Sequence, residues 1–356
     1  MKRSGRMRAA WWLVCAAGIV FGVAACSHGS ADSGAGSSAA NASAGASGVS
    51  GASTSSTAAP AAATAQSAAD AAPPASETGG FDGAAAYDFT EKLVSFGPRP
   101  PASDAIHKTQ DYIVAELKSF GCEVDTDDFH ASTPIGDLAM KNIIAKVPGT
   151  GPGIILLLTH YDTLRLDNFV GADDAGSSSG LMLEMAKLLC GSKEREPNSV
   201  WIAFLDGEEA QLVQDGVAQW TADDSVFGSR ELAARMDLSD DLKRVRAVLL
   251  ADMVGAKNIT IKQDPGSTGW LNALVWKTAD RLGYKSVFVS GSNGGVQDDH
   301  GPFLSRHVPA IDITAFPNYP YWHTTQDTMD KISARSLAIV GHVFVETVRE
   351  LQEKFR

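Results

Sequence analysis

From residue 84 onward the chain alternates between two rhythms of apolar residues. Stretches 84–96 and 103–120 place them at helical spacing, with Ser103 positioned to cap the second helix and Gly121 just past its end. Phe96-Gly-Pro-Arg-Pro-Pro101 breaks the two apart. Alternating or continuous apolar runs follow at 122–130, 138–147 and 153–160, and Ile154-Ile-Leu-Leu-Leu158 reads as a buried strand. A helix is predicted at 176–190 and a strand at 199–205, then a long irregular segment. Beyond it come a helix near 229–236, a strand at Ala247–Ala251, a strand at 258–262 and a helix at 268–282. A strand at 286–290, a short helix at 299–306, a strand at 309–314 and an amphipathic helix at 333–354 close the chain. Strands alternating with helices of this length predict an α/β sandwich with a mainly parallel sheet.

The first 80 residues break the pattern. Met1 to Cys26 opens with Lys2, Arg3, Arg6 and Arg8, continues with an apolar core from Ala9 to Val23, and ends Val23-Ala-Ala-Cys26. This predicts a secretory signal. Its ending resembles the lipobox of bacterial lipoproteins, which implies a lipid on Cys26 and an exported protein tethered to a membrane of the bacterial cell envelope. An uncleaved anchor is the other reading, but the apolar run is short for a span. Residues 27–80 are almost wholly Ala, Ser, Gly and Thr, too poor in apolar bulk to fold, and are expected to be a flexible linker. A single folded domain over 81–356 remains, large enough for a sizeable core. The formal charge of −12 argues against nucleic acid as a partner and leaves no basic patch for a membrane face. Cys15 falls in the signal and Cys26 at its end; Cys122 and Cys190 remain, and sequence leaves open whether they meet.

The chemistry collects where apolar strands end. Trp201-Ile-Ala-Phe-Leu205 runs into Asp206-Gly-Glu-Glu209, three carboxylates in four residues. Such a cluster repels itself unless a cation or shared protons compensate. Leu156-Leu-Leu-Thr-His160-Tyr-Asp162 ends in the same way, as do Val170-Gly-Ala-Asp173-Asp174 and Leu249-Leu-Ala-Asp252; Tyr321-Trp-His323-Thr follows the strand at 309–314. Open parallel sheets bind ligands at these ends. The set mixes nitrogen and oxygen donors without cysteine, which suits catalytic zinc with one open position.

Read in order, His-x-Asp, Gly-Ala-x-Asp, Glu-Glu, Asp and a late Trp-His-Thr resemble the zinc aminopeptidase superfamily. More narrowly the chain resembles the zinc-dependent, animal-like glutaminyl cyclases (glutaminyl-peptide cyclotransferases). That resemblance rests on Phe204-Leu-Asp-Gly-Glu-Glu-Ala210, Trp220 with Asp224-Ser-Val-Phe-Gly-Ser-Arg230, Asp252-Met-Val-Gly-Ala256, Gly294-Gly-Val-Gln-Asp-Asp-His300-Gly-Pro-Phe303 and Trp322-His-Thr324. It implies a three-layer α/β/α sandwich as a catalytic domain over 81–356. It implies Asp174, Glu209 and His323 as zinc ligands and Glu208 as acid/base, with Asp252 and Asp298 as its hydrogen-bonded neighbours. Gln297, Trp322 and Trp220 would contact substrate, although Gln211–Gln219 is longer than the animal pattern. His160 and Asp252 match the second zinc site of the aminopeptidases; one zinc is expected here, with these two hydrogen-bonded instead and a second metal not excluded. Asp162 is expected to orient its neighbours rather than bind metal. Thr159 and Ser179 stand where the animal enzymes carry a cysteine pair, so that disulfide is not expected.

The implied reaction is cyclisation of an N-terminal glutamine of a peptide or protein to pyroglutamate, with loss of ammonia, by a monomer. Two alternatives stand beside it: a zinc aminopeptidase, which shares nearly every ligand, and a non-catalytic envelope lipoprotein. His300, His307, His107, His130 and His342 read as structural or surface residues, Trp270 and Trp276 as core, and Gly294-Gly295 as a tight turn.

Overall fold

The computed structural model describes residues 67–68 and 70–356; the expected signal (1–26) and residues 27–66 of the expected linker lie outside the described residues. The strands are β1 (Glu123–Thr133), β2 (Gly136–Val147), β3 (Ile154–His160), β4 (Ser199–Leu205), β5 (Val213–Gln214), β6 (Val217–Ala218), β7 (Val245–Asp252), β8 (Ile261–Gln263), β9 (Phe288–Ser292) and β10 (Ala310–Thr314). The α-helices are α1 (Gly83–Val94), α2 (Asp104–Ser119), α3 (Ser178–Cys190), α4 (Phe227–Leu238), α5 (Gly269–Arg281), α6 (Gly301–Leu304) and α7 (Ala334–Lys354). Ser103 caps α2 as its sequence position suggests, accepting from the Ile106 N–H at 3.1 Å.

Six strands form the main sheet in the order β1-β2-β4-β3-β7-β10. β4, β3, β7 and β10 are parallel; along one edge β2 pairs antiparallel with β4, and β1 antiparallel with β2. β3 explains the layering. Ile155 and Leu157 face a core shared with α1, α2, α3, α5 and α7, whereas Ile154, Leu156 and Leu158 face a second core under α4. Because successive side chains alternate across a strand, a continuous apolar run is what a sheet covered on both faces requires. The result is the expected three-layer α/β/α sandwich.

Two expectations change. The strands foreseen at 258–262 and 286–290 do not join the main sheet; β8 and β9 pair with each other in a separate two-stranded ribbon. The expected linker also ends sooner than residue 80. The Asp70 carbonyl accepts from the Arg335 N–H, Thr78 is buried with its hydroxyl donating to the Phe81 carbonyl, and Arg349 donates to the Gly79 carbonyl. These contacts run mostly through backbone atoms, which is why a low-complexity composition did not signal them.

Cys122, just before β1, and Cys190, the last residue of α3, form a disulfide with Cα atoms 5.2 Å apart. Where the animal enzymes would carry their own pair, Thr159 donates to the Ser178 hydroxyl and Ser179 donates to the His160 carbonyl. The main sheet and the helix over it are thus tied by hydrogen bonds at one point and by a disulfide elsewhere. No helix among the described residues is long and apolar enough to cross a membrane.

Candidate active site

The C-terminal ends of β3, β4, β7 and β10 bring the chemical residues to one edge of the sheet, as parallel topology dictates. His160 ends β3, Glu208 and Glu209 follow β4, and Asp252 ends β7. The loop after β10 carries Trp322 and His323. Asp174 lies in a distorted π-type turn, Ala172–Ser177, that leads into α3, and its own backbone (φ −105°, ψ 90°) is not helical. Two glycines make these turns possible. Gly171 has φ +52° and a Cβ there would meet the Asp174 carbonyl at 1.9 Å; Gly207 has φ +69° and a Cβ would meet Met140 Sδ at 2.6 Å.

Asp174, Glu209 and His323 present donor atoms that all lie within 4.8 Å of one another, and so do His160, Asp174 and Asp252. Asp174 is shared: one carboxylate oxygen is 3.3 Å from His160 Nε2 and the other 3.6 Å from His323 Nε2. His323 Nε2 is also 3.1 Å from Glu209 Oε2. Both Glu209 oxygens are buried, yet neither receives an aligned hydrogen bond. A buried carboxylate left this way is strongly destabilising unless a cation meets it. Burial alone would lower the His323 pKa, but the charges of Glu209 and Asp174 outweigh it and raise the ring to about 9. The donor set therefore calls for positive charge, and its nitrogen and oxygen atoms fit a divalent transition metal.

The Asp162 carboxylate is not among the donor atoms of the Asp174–Glu209–His323 group. Its two carboxylate oxygens accept the backbone N–H groups of Glu208 and Glu209, at 3.1 and 3.4 Å, and one of them lies 3.4 Å from His160 Nδ1. It orients the acidic turn, as expected. His160 Nε2 stands 3.2 Å from Asp252 Oδ1, the expected hydrogen bond, in the same group of atoms that could hold a second ion.

One expectation is corrected. Glu208 makes no hydrogen bond to Asp252 or Asp298; Asp252 pairs with His160, and Asp298 accepts the Asp299 N–H. The coupling is through space. Burial pushes the Glu208 carboxyl well above the usual range, and the charges of Asp298, Glu209 and Asp299 add to this against the opposing pull of His160. Asp206, the first carboxylate of the acidic turn, leaves the site altogether. It points back to accept from the Lys141 N–H, the Tyr161 hydroxyl and Gln110.

A cavity of about 270 Å³ opens over this centre, lined among others by Asp174, Glu208, Trp220, Gln297, Trp322 and His323. Trp322 stacks on the His323 ring at 4.0 Å and meets Phe316 edge-on, yet remains 41% exposed. Trp220 reaches the cavity from the irregular segment, in which β5 and β6 form a small hairpin. His300 is buried 3.3 Å from Asp264, a structural role. Trp276 packs against the core and donates to the Val289 carbonyl, but Trp270, expected in the core, is exposed at the start of α5 and lies against Phe355.

Two supporting residues went unread in the sequence. Asp327 accepts the backbone N–H groups of Asp173 and Asp174 and the Tyr319 hydroxyl, joining the loop of His323 to the turn of Asp174. Arg99 is buried and donates to the carbonyls of Tyr161, Val170 and Gly171. Its charge faces Asp162, Asp327 and Asp174. Replacing it, as in Arg99→Met, removes a donor from three carbonyls, of which only that of Gly171 keeps another, the Gly176 N–H, and takes a buried charge from among the acids; it is expected to lower stability by on the order of 3–5 kcal/mol. Urea denaturation measures this, and a loss below about 1 kcal/mol, the range of an ordinary surface change, would contradict the assigned role.

The profile of peptidase family M28 matches residues 142–348, more than half of the chain and all of the candidate metal-binding residues. The chain belongs to peptidase family M28. Within this family it is similar to glutaminyl cyclases. An Acidobacteriales bacterium glutaminyl cyclase of known crystal structure is 38% identical, with a TM-score of 0.70, over 77% of this chain and 96% of that one. A Bos taurus glutaminyl-peptide cyclotransferase-like protein is 33% identical over 258 residues, which are 65% of this chain and 66% of the bovine protein, just short of two thirds of its length. A Zn-dependent exopeptidase from Parabacteroides distasonis shares the M28 fold at 28% identity and a TM-score of 0.69, over 75% of this chain and 98% of that one.

Proposed function

We propose that this M28 protein is a zinc-dependent glutaminyl-peptide cyclotransferase, converting an N-terminal glutamine to pyroglutamate with release of ammonia. The observation that carries the reading is the cavity itself, in which Glu208 meets Asp174 and His323, with Glu209 directly behind them, beside Trp220, Gln297 and Trp322. Its volume of about 270 Å³ suits one terminal residue. The greater identity to a glutaminyl cyclase, 38%, than to an exopeptidase of the same fold, 28%, supports the cyclase over the aminopeptidase.

Asp174, Glu209 and His323 would hold one zinc ion, and His160 and Asp252 keep their mutual hydrogen bond. When bound, the ion supplies Lewis-acid polarisation of the γ-carbonyl and lowers the pKa of the acids around it. The nucleophile belongs to the substrate, so the protein's main task is to fold the glutamine side chain back onto its own α-amine. Trp322, Trp220 and Phe316 supply the apolar walls for this and displace water. Glu208 accepts a proton from the amine as the new carbon–nitrogen bond forms. The same carboxyl returns a proton to the departing nitrogen, so ammonia leaves and the carboxylate is regenerated. Asp298, with Glu209 and Asp299, keeps that carboxyl basic enough for the first step by adding negative charge nearby. Asp162 fixes the backbone from which Glu208 projects.

For the chain as a whole, the signal-like start and Cys26 support an exported lipoprotein tethered to the bacterial cell envelope, acting as a monomer on peptides and proteins with N-terminal glutamine. The catalytic reading is tested with a Gln-initiated peptide and an ammonia assay. Ammonia release is expected to stop on chelation and return on adding Zn²⁺. Ammonia release that persists in metal-free protein would contradict it.

A further inference from the structure

A second cavity, of about 410 Å³, adjoins the first and shares Gln297 and Asp298 with it. It lies between the start of α4 and the segment around α6, and Arg230 and Arg306 line it. Each guanidinium is placed by one backbone carbonyl, Ala222 for Arg230 and Pro302 for Arg306, and Arg230 also lies 4.6 Å from the Phe227 ring. Each therefore keeps most of its five N–H donors uncommitted. Among the described residues neither forms an ion pair, although the chain carries a net charge of −12. The charges of Asp223 and Asp224 act on Arg230 from a distance, but Asp224 is already engaged by the N–H groups of Gln211 and Leu212, and Asp223 is exposed. Two guanidiniums with no ion pair thus share a cavity in which Asp298 is the one acid on the lining, and their fork geometry matches a carboxylate.

Resting on the cyclase reading, we propose that this cavity is a subsite for the residues that follow the terminal glutamine, and that it selects peptides bearing a carboxylate there. The terminal glutamine occupies the first cavity. The chain then passes over Gln297, which is exposed on the shared wall, into the second. An extended peptide advances about 3.3 Å per residue, so the favoured acid is sought at positions two, three and four.

The test uses the full chain and Gln-initiated pentapeptide amides that differ only in Glu or Gln at one of those positions. Each kcat/KM is taken relative to glutaminyl amide, which has no downstream residue. The expected result is a preference for Glu at one position of about fivefold at low ionic strength, fading as salt is raised. The preference should disappear in Arg230→Gln/Arg306→Gln. Arg306→Gln alone, on the more peripheral side chain, should reduce it and guards against misfolding of the double variant. A wild-type enzyme indifferent to charge at all three positions would overturn the proposal, as would a preference that survives in both variants. Failure of the wild type to cyclise glutaminyl amide would instead overturn the cyclase reading, and the subsite with it.

Discussion

Glu209→Gln is expected to abolish both metal binding and turnover while leaving the fold intact. Glu209 sits behind the cavity wall, 1% exposed, with His323 Nε2 at 3.1 Å and no aligned hydrogen bond to either oxygen. Its position is costly for any role except charge pairing. The amide keeps the shape and removes the charge, so metal content should fall from near one equivalent to near none. Activity should fall at least as far as the roughly 10²–10⁴-fold lost with a general acid–base group. The metal-free variant should be no less stable than metal-free wild type, because the desolvation cost of burying the charge, aided by repulsion from Asp174, outweighs its attraction to His323. The wild type alone should gain stability when metal is added, since a ligand that binds only the folded state raises its stability. Elemental analysis and thermal denaturation with and without Zn²⁺ check these points. A variant that retained metal and turnover would remove Glu209 from the cluster.

Glu208→Gln is expected to separate chemistry from metal binding. The Glu208 side chain faces the cavity and stands outside both groups of donor atoms close enough to share an ion. The amide cannot shuttle a proton, so kcat should fall on the order of 10²–10⁴-fold with metal content unchanged. KM should move little, because the walls that hold the glutamine are untouched. Equal losses of metal and rate would mean that Glu208 is a ligand, and full activity would mean that the proton travels by another group.

The sequence carried the scaffold of this site further than its support. β3 and β4 were legible because a strand covered on both faces must be apolar throughout, and Ser103 because a helix start leaves N–H groups that need an acceptor. Asp174, Glu208, Glu209 and His323 were legible because topology gathers strand ends at one edge. Arg99 was not. Its partner carbonyls lie 62 to 72 residues further along the chain, and Phe96-Gly-Pro-Arg-Pro-Pro101 advertises only a break between helices. Asp327 was missed for a similar reason, since a carboxylate that accepts backbone N–H groups leaves no pattern in its partners' identity. Asp206 was counted with its neighbours because a turn of positive φ at Gly207 decides which acids face the cavity, and spacing does not reveal that. The ribbon of β8 and β9 reads like any short apolar strands, and the pairing of Cys122 with Cys190 depends on where α3 ends against β1. What remained hidden is in each case a contact between groups far apart in the chain, most of them made to backbone atoms.

The most direct test of the cyclase reading is the mass of the product formed from a Gln-initiated peptide by the metal-loaded protein. Closure of the terminal ring predicts a single product lighter by the mass of ammonia, about 17 Da, and no free amino acid, because the γ-carboxamide is the only bond broken. A product shortened by its first residue, or a peptide returned unchanged, would contradict the account.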